Sequence, residues 1–551
     1  MNVQVSELLV RYMERLGIEV IFGMPGAHIL PVYDGLFASA IRTVLVKHEQ
    51  GASFMAGGYA RASGKIGACI TTAGPGATNL VTGIANAYVD KQPVLVITGE
   101  TSTHIFGKGG MQESSGEGGS VDQNALFSGI TRYNKIVERG DYLANVLNRA
   151  SQILLSDNPG PVLLSFPYNV QQELVDESVL DKVLTRRASR RDARESPLYN
   201  RLADLVQDAR NPVIVAGYGC MLANAGNVVS DLSEMLNVPV TTSLKGKGVI
   251  CEQGPLSLGS LGVTSDGSAY QYIVEHADLI VFLGAAFNER TSYLWDHGLL
   301  DNKRIAQIDN NPDQLEKVFR ADVAICADLK DVLEDLRDRL KARGVAAKQI
   351  APLPGRSDFT AVGSPVFDAQ FSLVKHFFEV LQARFPDGIQ VFDDNIIFAQ
   401  NFFRVSSGNR FYPNSGISSL GHGIPAAIGA RFAEDRPTFA IIGDGGFQMC
   451  CMELMTAVNY RIPLTVILFN NATMGLVRKN QFQKYEQRYI DCDFVNPDYA
   501  QLAASFGIAH FRIERETDLD AAFEAADFVA GINLIELFID KDAFPNYETN
   551  R

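Results

Sequence analysis

No stretch of this sequence stays apolar for long. The longest runs, such as Pro93 to Ile97 and Pro463 to Phe469, stop well short of the roughly 20 residues that cross a bilayer. The N-terminal residues lack the basic start and unbroken apolar stretch of a secretory leader. Glu7, Arg11, Glu14 and Arg15 interrupt their apolar spacing, so a cytoplasmic placement without a membrane is expected. Cysteine is sparse, and the seven residues form no C-x-x-C pair. Cys450 and Cys451 are adjacent, which suits neither a metal cage nor a disulfide, so reduced and mostly buried thiols are expected. Positive charge is short as well: the formal net charge is −14, and phosphate backbones demand concentrated basic surface, which speaks against a nucleic-acid partner. The one basic cluster, Arg186, Arg187, Arg190, Arg191 and Arg194, stands in a polar stretch and reads as a solvated linker. Short-period repeats and low-complexity tracts are absent too.

What is present is a globular balance, 46% apolar and 20% charged residues, over 551 positions, too many for a single hydrophobic core. Short apolar runs at Val20–Phe22, Thr43–Val46, Ala68–Thr71, Val94–Thr98 and Val162–Ser165 alternate with helix-like segments such as Glu49 to Ser63 and Ala77 to Tyr88. The same alternation returns around Pro212–Ala216, Leu279–Leu283 and Arg304–Ile308, and again around Ile389–Phe392, Thr438–Ile442 and Leu464–Phe469. Strands alternating with helices imply parallel sheets covered on both faces. The expected fold is therefore α/β, with three doubly wound parallel-sheet domains over 1–175, 190–342 and 365–545.

Two of these runs end in residues with chemistry. The strand-like TFAII leads into Gly443-Asp444-Gly445-Gly446, and LTVILF leads into Asn470-Asn471. Both ends point the same way, at the carboxyl edge of adjacent parallel strands, where α/β sheets place ligands. An Asp carboxylate, an Asn amide oxygen and a backbone carbonyl form part of a Mg²⁺ shell, which water and phosphate oxygens usually complete. The glycines allow close approach of a diphosphate, and the following helix N-terminus favours its charge. In the first block Glu49 stands where a strand hands over to a helix. By itself it reads as a dipole partner for that helix. Gly217-Tyr218-Gly219 has Leu222 where a dinucleotide fingerprint needs glycine, so it reads as a tight strand-to-helix turn.

The spacing of Asp444 and Asn471 resembles the thiamine-diphosphate motif, GDG followed by about 25 residues and then NN. The likeness extends through GMPGAHILPVYDGL, HEQGASFMAGGYARASGK, TTAGPGATNLVTGIANAYVDKQPVLVITGE and SLGHGIPAAIGA to MGLVRKNQ, in order along nearly the whole chain. All of it is similar to the acetohydroxyacid synthase (acetolactate synthase) large subunit family, whose three domains are pyrimidine-binding, central and diphosphate-binding. The resemblance implies homodimers or homotetramers, with each active site shared between the first domain of one subunit and the third of another. Glu49 would activate the cofactor by hydrogen-bonding its aminopyrimidine ring. Asp444 and Asn471 would hold Mg²⁺ through their side chains and Thr473 through its carbonyl. Gly443, Gly445, Gly446 and Met474 would line the cofactor, Leu420 would wedge it into a bent shape, and the Ser418 carbonyl would accept from its amine. Gln112 would line the substrate pocket.

The departures gather around substrate. Where the family reads GARFDDR this chain reads GAAFNER, so Ala286 replaces one arginine and Arg290 matches the other. Loss of a guanidinium fork removes a natural partner for an acceptor carboxylate. Asn480 replaces a tryptophan, residues 113–120 look inserted, and the usual Gly-Gln-His run is missing around Asp393 and Asn395. The expectation is a carboligase that decarboxylates a 2-oxo acid, with pyruvate the expected donor, and transfers the fragment to an altered carbonyl acceptor. The alternative is a decarboxylase that releases an aldehyde, against which stands the lack of a paired-histidine motif. A dehydrogenase built on Gly217 leaves Glu49, Asp444 and Asn471 unexplained, and a regulatory protein would have lost those residues first. FAD in the central domain is left open. His48, His104 and His422 are open acid–base candidates, His422 first among them.

Overall fold

The computed structural model describes residues 1–185, 197–354 and 366–547. The arginine cluster lies outside them, as does part of each expected linker. Three six-stranded sheets, all of whose pairings are parallel, dominate the described residues. The first sheet has the spatial order Arg42–Leu45, Val20–Gly23, Gly67–Thr71, Val94–Glu100, Val162–Pro167, Tyr133–Ile136. The third repeats that order with Arg410–Pro413, Gln390–Asp393, Thr438–Gly443, Leu464–Asn470, Ile532–Phe538, Ala509–Ile513. Between them in sequence, the second runs Ser257–Ser260, Val240–Thr242, Pro212–Ala216, Leu279–Leu283, Arg304–Asp309, Val323–Cys326, the order of a doubly wound dinucleotide-type sheet. Central strands such as Val94–Glu100 and Leu279–Leu283 are buried along their whole length, as helices on both faces require.

Several expected elements differ in detail. Seven sheet strands fall outside the expected runs: Tyr133–Ile136, Ser257–Ser260, Val323–Cys326, Arg410–Pro413 and Ala509–Ile513 at sheet edges, and Val240–Thr242 and Ile532–Phe538 inside their sheets. The stretch from Phe447 to Tyr460 is not one helix but Asp444–Cys450, a 3₁₀ turn Cys451–Glu453, and Leu454–Tyr460. The helix Glu49–Ser63 matches its expected bounds. His48 caps its start, with Nδ1 accepting from the Gln50 amide, and Gly64 ends it at φ +69°.

One hydrophobic core spans the first and third sheets, joining Phe22 and Met55 to Ile428 and Phe392. Its centre is the crossing of Glu49–Ser63 with the helix Gly423–Ala433. Small residues let these backbones touch. A Cβ on Gly58 would lie 2.1 Å from the Ala426 carbonyl oxygen, and one on Gly429 would lie 2.0 Å from that of Met55. A junction of all three sheet regions sits nearby. The buried Asp90 pairs with Lys245 and with Arg61, and the Arg61 guanidinium also donates to the Pro413 carbonyl. No helix among the described residues is long and apolar enough to cross a membrane. All seven cysteines are free; Cys69, Cys220 and Cys492 are buried, whereas Cys326 is exposed.

Candidate active site

The carboxyl edge of the third sheet gathers one half of the expected residues. Gly443 pairs with Phe469, so Asp444 and Asn470-Asn471 leave neighbouring strands at the same level. Asp444 is buried at 1% exposure. Its Oδ1 accepts from the Gly445 amide at 2.9 Å, and its Oδ2 from the amides of Asn471 and Ala472 at 3.0 and 2.6 Å. The left-handed backbone of Ala472, φ +52°, turns those two amides toward one oxygen. Asn496 adds its side-chain amide to the same Oδ2 at 2.8 Å, while also donating to Asn470 and accepting from Gln448. Burial raises the Asp444 carboxyl above its usual range, and these donors pull against it. The Asn471 amide oxygen accepts from the Thr473 amide at 3.3 Å, and the Thr473 hydroxyl donates to the Cys492 carbonyl. Met474 lies over the turn, its sulfur 2.7 Å from where a Gly445 Cβ would stand.

This donor set fits Mg²⁺: among the described residues the Asp444 carboxylate is held by neutral donors only, and its Oδ1, with a single donor, offers a hard oxygen beside the Asn471 amide oxygen on the next strand. Among the described residues no group of three His, Cys, Asp or Glu side chains could hold a metal, so a thiolate or imidazole cage has no support there.

Leu420 is held by a residue to which the sequence reading gave no role. The Asp394 carboxylate, also buried, accepts from the amides of Gly421, His422 and Gly423 at 2.8–3.0 Å. Asn414 donates to the Ser419 carbonyl on the other side. Leu420 is thus presented, half-buried, between two pinned peptides, next to Ser418 at φ +55°. Burial pushes Asp394 up to about 6 and Asp393 up to about 7, against the donors on each.

The second half lies in the first domain. Glu49, 9% exposed, accepts from the Asn79 side chain at 2.9 Å, and Gly76 lies against it. Gln112, at φ +57°, has Oε1 3.2 Å from His28 Nδ1 and 3.5 Å from the Thr72 hydroxyl. His28, Thr72, Gly76 and Asn79 therefore join Glu49 and Gln112 in one group, and only the fold could show this. Residues 113–120 pack back onto it: the Ser114 hydroxyl accepts from the Gly74 amide, and Glu113 takes the amides of Gly107 and Gly110. Within one chain no hydrogen bond or ion pair links Glu49 to Asp444.

The histidine candidates separate clearly. His48 is an exposed helix cap and His104 an exposed turn residue. His422 is buried edge-on to Phe54, and burial, then the neighbouring Arg61, drives it down to about 3. It packs between the first and third domains, and this burial gives the acid–base candidate no support.

At the carboxyl edge of the central sheet lies a cleft of about 310 Å³ lined by Ser243, Thr264, Ala286, Arg290, Asp309 and Lys317. Gly217 closes on Gly284, where a Cβ would meet a carbonyl oxygen at 2.2 Å, so the glycine serves tight packing there. Ala286 opens onto this cleft, and Asn480 is on the helix Gly475–Lys484.

Comparison with known proteins agrees with this architecture. Residues 3–124 match the family described as Thiamine pyrophosphate enzyme, N-terminal TPP binding domain, 199–336 its central domain, and 395–536 its C-terminal TPP binding domain. A probable acetolactate synthase large subunit of Methanocaldococcus jannaschii is 32% identical, covering 97% of this chain and 92% of its own length. The acetolactate synthase of Arthrospira platensis is 32% identical and the isozyme 1 large subunit of Escherichia coli 31%, each covering 98% of this chain and 94% of its own length. Matched by all three domain families and along nearly its whole length, the chain belongs to the thiamine pyrophosphate enzymes.

Proposed function

We propose that this protein is an acetolactate-synthase-like carboligase. It decarboxylates a 2-oxo acid, pyruvate in the first instance, and transfers the acyl fragment to an acceptor carbonyl, giving an acyloin or acetohydroxy acid. The observation that carries the reading is the pairing of Asp444 with Asn471 at one sheet edge, level with each other and beside the pinned Leu420 loop. Thiamine diphosphate, when bound, supplies the electron sink for the pair left by departing CO₂. In this reading Asp444, Asn471 and the Thr473 carbonyl hold Mg²⁺, while Gly443, Gly445, Gly446 and Met474 accommodate the diphosphate. Leu420 and the Ser418 carbonyl orient the aminopyrimidine. Glu49, steered by Asn79, would hydrogen-bond that ring. Its near-complete burial keeps water from competing for the same hydrogen bond. Gln112, oriented by His28, faces the substrate.

The site is completed by a second copy of the chain in a homodimer or homotetramer. Apolar side chains exposed around each half support this: Met111 beside Gln112, and Met449, Leu476 and Val477 around the Asp444 turn. Domain limits of 1–175, 190–342 and 365–545 and a cytoplasmic placement belong to the same proposal.

Incubation with Mg²⁺, thiamine diphosphate and pyruvate, alone and with aldehyde or 2-oxobutyrate acceptors, then mass analysis of products, tests it. A ligated product is expected. Release of free aldehyde alone would sink carboligation, and preferred formation of 2-aceto-2-hydroxybutyrate would sink the altered acceptor argued from Ala286 and Asn480.

A further inference from the structure

The start of the Glu49 helix is gripped by a carboxylate from the third domain of the same chain. Glu453, 3% exposed, accepts from the His48 amide at 2.9 Å and from the Lys47 amide at 3.1 and 3.3 Å. The Thr456 hydroxyl donates to its other oxygen at 2.7 Å. The approach is close enough to exclude any side chain at position 51, where a Cβ would fall 2.3 Å from Glu453 Oε1. Two residues earlier the Tyr460 hydroxyl receives the Leu45 amide at 2.7 Å. Of the peptides that lead into Glu49, Leu45, Lys47 and His48 thus donate to the 3₁₀ turn and helix that follow the Asp444 helix, while Val46 between them keeps its bond to Gly23 of the sheet.

A negative charge on amides at a helix start is favourable, yet burying a carboxylate is costly unless its lone pairs are filled. Here four hydrogen bonds fill them. A surface cap would hold the same helix without the desolvation. What the buried cap adds is a fixed entry path, with little room for Glu49 to shift along the helix axis.

We propose that Glu453 is a positioning residue for the activating carboxylate: through the Lys47 and His48 amides it sets where Glu49 stands. The inference rests on the carboligase reading, because it takes Glu49 as the activating group.

The test is Glu453→Gln, which keeps volume and one acceptor oxygen but loses the charge. We expect kcat with pyruvate to fall about tenfold to a hundredfold, as misplacement of a catalytic group by an ångström does. Half-saturation by thiamine diphosphate at excess Mg²⁺ should stay within about twofold, since the binding contacts at Asp444 are untouched. In a Glu49→Gln background the same change should cost nothing further, because residues that act through one group are not additive. Independently of activity, the peptide spanning residues 44–52 should exchange its amide hydrogens faster in the variant. Native kcat, an equal loss in the Glu49→Gln background, or unchanged exchange would each overturn the proposal. Failure of the carboligase reading shows elsewhere, in a native chain that consumes no 2-oxo acid, and the exchange measurement still decides the clasp.

Discussion

At the scale of single residues, the metal-side geometry depends on an asparagine with no motif around it. Asn496 donates to the same Asp444 oxygen as the Asn471 and Ala472 amides and is held by Asn470 and Gln448. Groups that hydrogen-bond to a metal's ligands set their orientation as much as the metal's affinity. Replacing Asn496 by Ala leaves the Asp444 carboxylate held by backbone amides alone. The Mg²⁺ concentration for half-maximal binding, followed by calorimetry in the presence of thiamine diphosphate, should rise about tenfold to a hundredfold. Unchanged affinity would mean that the backbone amides alone orient the carboxylate.

At the scale of elements, the crossing of Glu49–Ser63 with Gly423–Ala433 is the most constrained contact between the first and third domains. Gly58 and Gly429 each face a carbonyl of the opposite helix, not a yielding side chain. Gly58→Val must therefore push two backbones apart or strain them. The expected loss is at the upper end of the roughly 1–3 kcal/mol typical of overpacking, read from urea unfolding of the purified chain. Because the same helix carries Glu49 at its start, activity should fall as well. A variant with native stability would show that the helices have slack.

Across the whole molecule, the three sheets meet at Asp90. Burial alone would raise this carboxyl, but Lys245 and Arg61 outweigh it and hold it below the usual range. A carboxyl whose folded pKa is depressed contributes stability that is fully present above its unfolded value, about 3.9, and lost as pH falls through the folded one. Asp90→Asn leaves the buried Arg61 and the half-buried Lys245 without the carboxylate they share. Removal of one partner from a buried pair typically costs about 3–5 kcal/mol. In urea melts the gap between variant and native chain should be widest near neutrality and shrink below about pH 4, where Asp90 of the unfolded chain takes up a proton that the folded one still refuses. A gap that does not narrow in acid would mean that packing, not charge, holds the junction.

Legibility followed the same scales. Asp444, Asn471 and Glu49 could be found because each stands at the end of an apolar run, a local signal that fixes both residue type and position. The alternation of runs likewise announced three parallel sheets. Asp394, Asn496, His28 and Glu453 carried no such signal. Each works on a segment distant in sequence, and a polar residue with a remote partner looks the same in sequence as a solvated one. His422 shows the reverse case: its place beside Leu420 suggested chemistry, and burial against Phe54 and Arg61 gives it no support. The sequence by itself determined the sheet class and the family and singled out both carboxylates as candidates, since these depend on local periodicity and on residues adjacent along the chain. Only the tertiary structure decided which groups hold those carboxylates in place, because hydrogen bonds and charges act through space, and the chain brings those partners together only by folding.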